Sequence, residues 1–555
     1  MKNTTLLSSS ISLAVPSPRP GPRLPSLFVA IAMLLLLLSI ASSTYADSAT
    51  WKSSPATGDW NTAANWTPMT VPNGPSDTAT FATSNRTAVS LSANTEVNGI
   101  VFNAGASAFT ITGPGANILS LTISGVGITN NSGITQKFVA AGDPSNGYPG
   151  LIRFFNSATA GSSTSFTLNT YAYIYFYNAS TAGGGTFTLN GDRATGFSSF
   201  MQFRDSSTAG NGIFTVNGAA RSGYPGSNVA IALGATAGNG TFTINGSRFS
   251  GAIGTGATMT ISGNADAATL IANAGVGGVS SGGGIYLFID SLGGTSRVEV
   301  FGNATGDGTD GHLNIVSHYA PGVTIGSIEG SGTVFLGANN LTVGSNNLNT
   351  KFSGVISGDS GGALTKVGTG KLVLSHRNTY TGGTTIKRGK LMVNNIGGSG
   401  TGSGPVQVDG GWLGGKGIIA GAVTVGTGSG SGAVLAPGYV HGLGSPGALT
   451  IQSALTFSVD ATYNVDVNSS NATADEVVAN GVTINSGAQF SFADLGSGTL
   501  TPGTVFTVIN NTAATPIAGT FSNLPDGSIF TSNGNTYQVS YQGGDGNDLT
   551  LTVIP

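Results

Sequence analysis

The chain has 555 residues with 89 glycines, 21 prolines and no cysteine; only 8% of its residues are charged and the formal net charge is −3. Glycine at about twice the usual share and charge at about a third of it exclude a helix-rich domain, because a glycine inside a helix costs about 1 kcal/mol. A hydrophobic content of 39% excludes disorder, the lack of a three-residue glycine period excludes collagen, and the missing cysteines exclude disulfide staples and cysteine metal sites.

Lys2, Arg19 and Arg23 precede an apolar run from Leu27 to Ile40, and Thr44-Tyr45-Ala46 ends it on a small residue. This layout predicts a secretory signal peptide over residues 1–46, cleaved after Ala46. The run is shorter than the roughly 20 residues that span a bilayer, and no second such run follows, so no membrane span is expected in the mature chain. Cleavage would remove three positive charges, leaving 17 Lys+Arg against 23 Asp+Glu. So weak and dispersed a field argues against a nucleic-acid partner and against a polybasic membrane patch.

Residues 47–110 are read as an N-terminal cap with the first strands. Trp51, Trp60 and Trp66 cluster there; they are expected to close the open edge of the first coil, with carbohydrate binding as the alternative.

Over 111–324 one unit recurs. Phe155-Asn-Ser-Ala-Thr-Ala-Gly leads to Ser-Phe-Thr-Leu-Asn, and close copies centre on Phe187, Phe214 and Phe242. From Phe166 onward the equivalent phenylalanines are 21, 27 and 28 residues apart. Such a unit is too small to bury its own apolar face, and stacking the units makes a solenoid. In Thr241-Phe-Thr-Ile244, Phe242 and Ile244 fall on one face and the threonines on the other. The following Asn-Gly is read as a turn, since both residues tolerate positive φ. Asn-Gly hairpins would suit a propeller or sandwich, but variable insertions at glycine-rich corners favour the solenoid. Some twenty coils at about 4.8 Å each would make a rod on the order of 100 Å long.

Within this region Tyr171-Ala-Tyr-Ile-Tyr-Phe-Tyr177 places Tyr171, Tyr173, Tyr175 and Tyr177 on one strand face, opposite Ala172, Ile174 and Phe176. With the aliphatic face inward, the tyrosines form a platform for sugar rings or a partner surface; the alternative is that they pack along neighbouring coils. Asp192, Arg193, Arg204 and Asp205 sit in consecutive repeats, either as a carboxylate–arginine cluster or as solvated turn residues. Asp307 and Asp310 lie in a glycine loop that suits a hard cation or a plain turn. The histidines, His312, His318, His376 and His441, show no usual metal-ligand spacing. No catalytic residue, metal or cofactor is assigned.

Residues 363–394 carry Leu364, Lys366, Gly368, Gly370, Leu372 and Leu374, then Asn378-Thr-Tyr-Thr-Gly-Gly-Thr384, Gly389 and Leu391. This segment closely resembles the autotransporter-associated β-strand repeat, and flanking pieces extend the likeness over 325–490. The resemblance implies an all-β, right-handed parallel β-helix (β-solenoid) following the signal peptide, of the kind displayed at bacterial surfaces. Residues 491–555 are read as a C-terminal β cap. Gly543-Gly-Asp-Gly-Asn-Asp-Leu-Thr-Leu551 fits a calcium nonapeptide except at Thr550 and is read as a closing hairpin. Self-secreting members of the family end in an outer-membrane barrel, for which the stretch after these repeats leaves no room.

The resulting expectation is a non-enzymatic exported protein, extracellular, at the cell surface or periplasmic, with a structural, adhesive or matrix role toward a polysaccharide or cell-surface partner. A polysaccharide-active lyase or hydrolase is the competing reading; it requires carboxylates at a set separation.

Overall fold

The computed structural model describes residues 47–113, 119–192, 196–249, 255–276, 280–304, 308–430, 432–438 and 445–555. The predicted signal peptide, Arg193, Asp307 and His441 lie outside the described residues.

Among the described residues, the helical content is one 3-10 turn at Ala63–Asn65; everything else regular is strand. Two long parallel ladders run through the protein. The first passes from Gly74–Phe81 through Gly150–Phe154, Ala172–Phe176, Phe200–Phe203 and Asn228–Ile231 to Val355–Ser357. The second runs from Ala88–Ser90 through Ser162–Leu168, Gly184–Leu189, Ile213–Val216 and Thr241–Ile244 to Gln489–Asp494. Each strand pairs in parallel with its counterpart one coil away, which is solenoid pairing and excludes the hairpins of a propeller or sandwich. The protein is an all-β parallel solenoid.

The third side changes character along the chain. Between Gly127 and Leu292 it consists of single-residue bridges joining Thr159, Thr181, Thr208, Thr236 and Asn264 in succession. From Gly322–Ile325 to Val482–Ile484 it widens into an eight-stranded parallel ladder.

The predicted repeat sets the core. Phe166, Phe187, Phe214 and Phe242 are paired in register across successive coils. Their rings stack at 4.7, 5.0 and 4.3 Å. On the first ladder Phe154, Phe176 and Phe203 form a second stack at 4.7 and 4.6 Å. Phe176 meets Phe187 edge-on at 6.1 Å, so the two stacks interlock. Each ring is fully buried, worth about 1.5–3 kcal/mol.

The Asn-Gly corners turn for a different reason from the one expected. The glycines of the Asn-Gly corners, Gly191, Gly218 and Gly246, do not have positive φ. A Cβ on Gly191 would stand 2.1 Å from the carbonyl oxygen of Gly218, and one on Gly218 would stand 2.4 Å from that of Gly246. Glycine is needed there because the next coil passes too close for a side chain. Left-handed backbone belongs to the other corner, where Gly183, Gly210 and Gly238 have φ of 59°, 58° and 55°.

At the N-terminal end Trp51, Trp60 and Trp66 are buried around Phe81, with ring centroids 5.0 to 6.0 Å apart. All three indole N–H groups donate to backbone carbonyls, those of Arg86, Pro72 and Trp60. Trp66–Thr67 pairs antiparallel with Ala49–Trp51 and covers the edge of that strand. At the other end Val505–Asn511, Asp548–Ile554, Asn535–Gly543 and Ile529–Ser532 form an antiparallel sheet.

Candidate functional site

The tyrosine row begins at Tyr171, in left-handed conformation with φ 57°, and runs along Ala172–Phe176. Ala172, Ile174 and Phe176 are fully buried, and the four tyrosines, Tyr171, Tyr173, Tyr175 and Tyr177, are half-exposed on the opposite face. Alternation in a strand produces this split once the aliphatic face enters the core.

Neighbouring coils enlarge the row into a face. Tyr173 is in register with Leu151 on one side and Phe200 on the other; Tyr175 lies between Arg153 and Gln202. The Phe200 ring sits 6.1 Å from that of Tyr173 and 6.0 Å from that of Tyr175. Phe155 stacks on Tyr177 at 4.6 Å, and Phe197 lies 4.4 Å from Tyr171. The guanidinium of Arg204 is 5.7 Å from the ring centres of both Tyr175 and Tyr177, within cation–π range. Its Nε donates to Gln202 Oε1 at 2.6 Å.

Partial burial, followed by the neighbouring phenols, raises the pKa of Tyr173; burial and Tyr177 do the same for Tyr175, against the opposing pull of Arg204 and Arg153. Both phenols therefore keep their protons and remain donors near neutral pH. The face offers flat rings, hydroxyl donors and guanidinium forks, which is chemistry for holding a ligand.

The other candidates serve the backbone. Asp192 is buried, and its carboxylate accepts from the Gly196 N–H. Asp205, at φ 55°, accepts from the Asn178 N–H at 2.8 Å. Arg204, singled out with these acids in the sequence, is spread over the tyrosines instead. Asp310 is buried and accepts from the Asn303 N–H at 2.7 Å and the Thr333 hydroxyl at 3.1 Å.

His312 is buried, with Nε2 3.1 Å from the Tyr286 hydroxyl, and burial lowers its pKa. His318 lies between the carbonyl oxygens of Tyr319 and Ser291 at 2.7 and 2.9 Å. His376 Nδ1 is 3.3 Å from the Arg377 carbonyl oxygen. Among the described residues no group of three or more His, Asp or Glu side chains gathers as a metal centre. The 543–551 segment turns an antiparallel hairpin, whereas calcium nonapeptides stack as parallel turns. Asp548 there accepts from the Asn511 N–H at 2.9 Å.

The residues that carried the resemblance join coils. Lys366 is buried, and its Nζ donates to the carbonyls of Val367, Gly368 and Arg388 at 2.5, 3.2 and 3.4 Å. Burial lowers its pKa to about 8. Asn378 continues the solenoid wall beyond Val355–Ser357: its Oδ1 accepts from the Ile356 N–H at 2.8 Å and its Nδ2 donates to the Gly400 carbonyl at 2.6 Å. Tyr380 is fully buried, with its hydroxyl 2.6 Å from that of Thr384.

Residues 364–393 match the family model described as passenger-associated-transport-repeat. Among characterised proteins, the adhesin BmaC autotransporter of Brucella suis biovar 1 (strain 1330) is 38% identical over 110 residues, which is 19% of this chain and 3% of that adhesin. The chain thus matches only a small part of that protein's length. With this repeat built into a parallel coil, the chain is an autotransporter-passenger-like repeat protein.

Proposed function

We propose that the protein is a non-enzymatic adhesive rod, exported and displayed at the cell surface, and that the face built on Tyr171, Tyr173, Tyr175 and Tyr177 is its binding platform for a surface polysaccharide. One observation carries this reading: Tyr173, Tyr175 and Phe200 from adjacent coils lie together on the outside of a continuous parallel sheet. Aromatic rings fixed by the backbone present large contact area at low entropic cost. The similarity to an autotransporter adhesin supports an adhesive role. Against the lyase or hydrolase reading stand Asp192, Asp205 and Asp310, whose carboxylates are engaged with backbone N–H groups.

The test coats beads with the purified protein and measures their retention on surfaces carrying neutral or acidic polysaccharides, while newly formed chain ends are counted. Retention without new ends, lost in the Tyr173→Ser/Tyr175→Ser double variant at unchanged melting temperature, is expected. New chain ends from the wild-type protein, or retention indifferent to the double variant, would overturn the proposal.

A further inference from the structure

The charge along the chain is uneven in a way that bears on this face. Residues 151–250 contain five arginines, no lysine and two aspartates, a net +3, in a protein whose total is −3. The remainder therefore carries −6, and the one aromatic platform described above sits in the positive stretch.

Two of the arginines are placed where a polymer crossing the coils would meet them. Arg153 is in register with Tyr175, and Arg204 covers Tyr175 and Tyr177 from the opposite side. Arg221 and Arg248 are exposed on the insertions that follow the next two coils. The two acids are turned to other work: Asp192 is buried under Gly196, and Asp205 caps the Asn178 N–H.

Arginine rather than lysine is informative. A guanidinium presents a planar fork that matches carboxylate and sulfate oxygens, and it also lies flat on aromatic rings. Gln202, bonded to Arg204 Nε, fixes one edge of that fork and leaves the terminal nitrogens to a ligand.

We propose that this face takes an acidic polysaccharide, with sugar rings on Tyr173, Tyr175 and Phe200 and anionic substituents on Arg153 and Arg204. The inference rests on the platform reading and adds the chemical class of the ligand. Uronate carboxylates and sulfate esters share the required geometry. A single-stranded nucleic acid would use the same rings and charges. The sugar polymer is favoured because the protonated phenols match a hydroxyl-rich ligand and the local charge excess is only +3.

The experiment measures binding of the purified protein to polygalacturonate, dextran sulfate, uncharged dextran and a single-stranded oligonucleotide, at low and high salt. Polygalacturonate, dextran sulfate or both should bind well above dextran, and raised salt should weaken them. Arg204→Gln should reduce that binding about tenfold, and Arg153→Gln/Arg204→Gln further, with the melting curve unchanged. Because Arg204 is exposed, its single variant remains decisive even where the double variant folds poorly. Preference for only one of the two acidic polymers supports the inference and identifies the anion. Equal binding of dextran and both acidic polymers, indifferent to Arg204→Gln, overturns the acidic assignment while leaving the platform standing. Tighter binding of the oligonucleotide overturns it in favour of nucleic acid. Binding to none of the four overturns the acidic assignment, and if the beads are also not retained on any surface the platform falls with it.

Discussion

The side-chain amide of Asn245 donates to Oδ1 of Asn217 at 2.9 Å, joining equivalent corners of coils that are 28 residues apart. The relationship propagates: Asn273 donates to Asn245, Asn217 to Asn190 and Asn190 to Asn169, at 2.9, 3.3 and 3.1 Å. Each inner amide, Asn190, Asn217 and Asn245, gives with its nitrogen and accepts with its oxygen, so the row is a second, side-chain ladder running beside the backbone one.

Asn217→Ala breaks this row in the middle. It leaves the Asn245 nitrogen and the Asn190 oxygen without each other's neighbour and also removes the acceptor of Arg248, whose Nη2 reaches Asn217 Oδ1 at 2.6 Å. The expected local loss is about 1–3 kcal/mol. Hydrogen exchange should speed up in Ile213–Val216 and Thr241–Ile244 while distant coils stay protected. Asn217→Asp keeps the acceptor for Asn245 and Arg248 and should cost less. Equal protection in Asn217→Ala and wild type would deny the row a stabilising role.

Lys366→Met tests the repeat that the chain shares with passenger proteins. Methionine fills similar space but removes the donor for the Val367, Gly368 and Arg388 carbonyls. Losing the buried ammonium relieves its desolvation, yet three part-buried carbonyls lose a charged donor, and that loss should prevail by about 1–3 kcal/mol. Proteolysis at neutral pH should then cut first near 366–390. A variant that resists protease as the wild type does would show that burial of the cation was the larger effect.

Asp475 supplies a pH dependence of defined sign. It is buried beside Asp466, and burial, reinforced by that neighbouring carboxylate, raises its pKa from 3.8 to about 7. Between these values the folded chain holds a proton that the unfolded chain has released. Its contribution is therefore fully present below about pH 4 and is lost as pH rises through about 7, a change of up to about 4 kcal/mol. Asp475→Asn should flatten this part of the melting-temperature profile relative to wild type. Parallel profiles for the two proteins would contradict the assignment.

The core was legible in the sequence because its period is carried by large residues: Phe166, Phe187, Phe214 and Phe242 announce both the strand and the stacking distance between coils. The tyrosine row was legible for the same reason, being an alternation inside one strand. Its enlargement by Phe155, Phe197, Phe200 and Arg153 was not, since those residues lie 16 to 29 positions from Tyr171 or Tyr177 and meet the row only through register. The third wall was hidden because a single bridge per coil, at Thr159, Thr181 and Thr208, looks like part of a turn. The Asn-Gly corners were misread in cause: positive φ is a property of one residue, but the closeness of Gly191 to Gly218 belongs to two coils. The second ladder, counted from Ala88–Ser90 to Gln489–Asp494, has 17 described strands, or roughly 80 Å at about 4.8 Å per coil.

Because each coil is paired to its two neighbours and to little else, a pull along the rod has no distant contact to share the load. Tension applied at either end concentrates on the outermost ladder and peels it before the next is disturbed. Over the regular stretch each event would release the 21 to 28 residues of one turn, lengthening the chain by about 70–100 Å. A grip on Tyr175, well inside the stack, would be released only after the coils between it and the loaded end had come away one by one. The molecule would yield by lengthening before it let go.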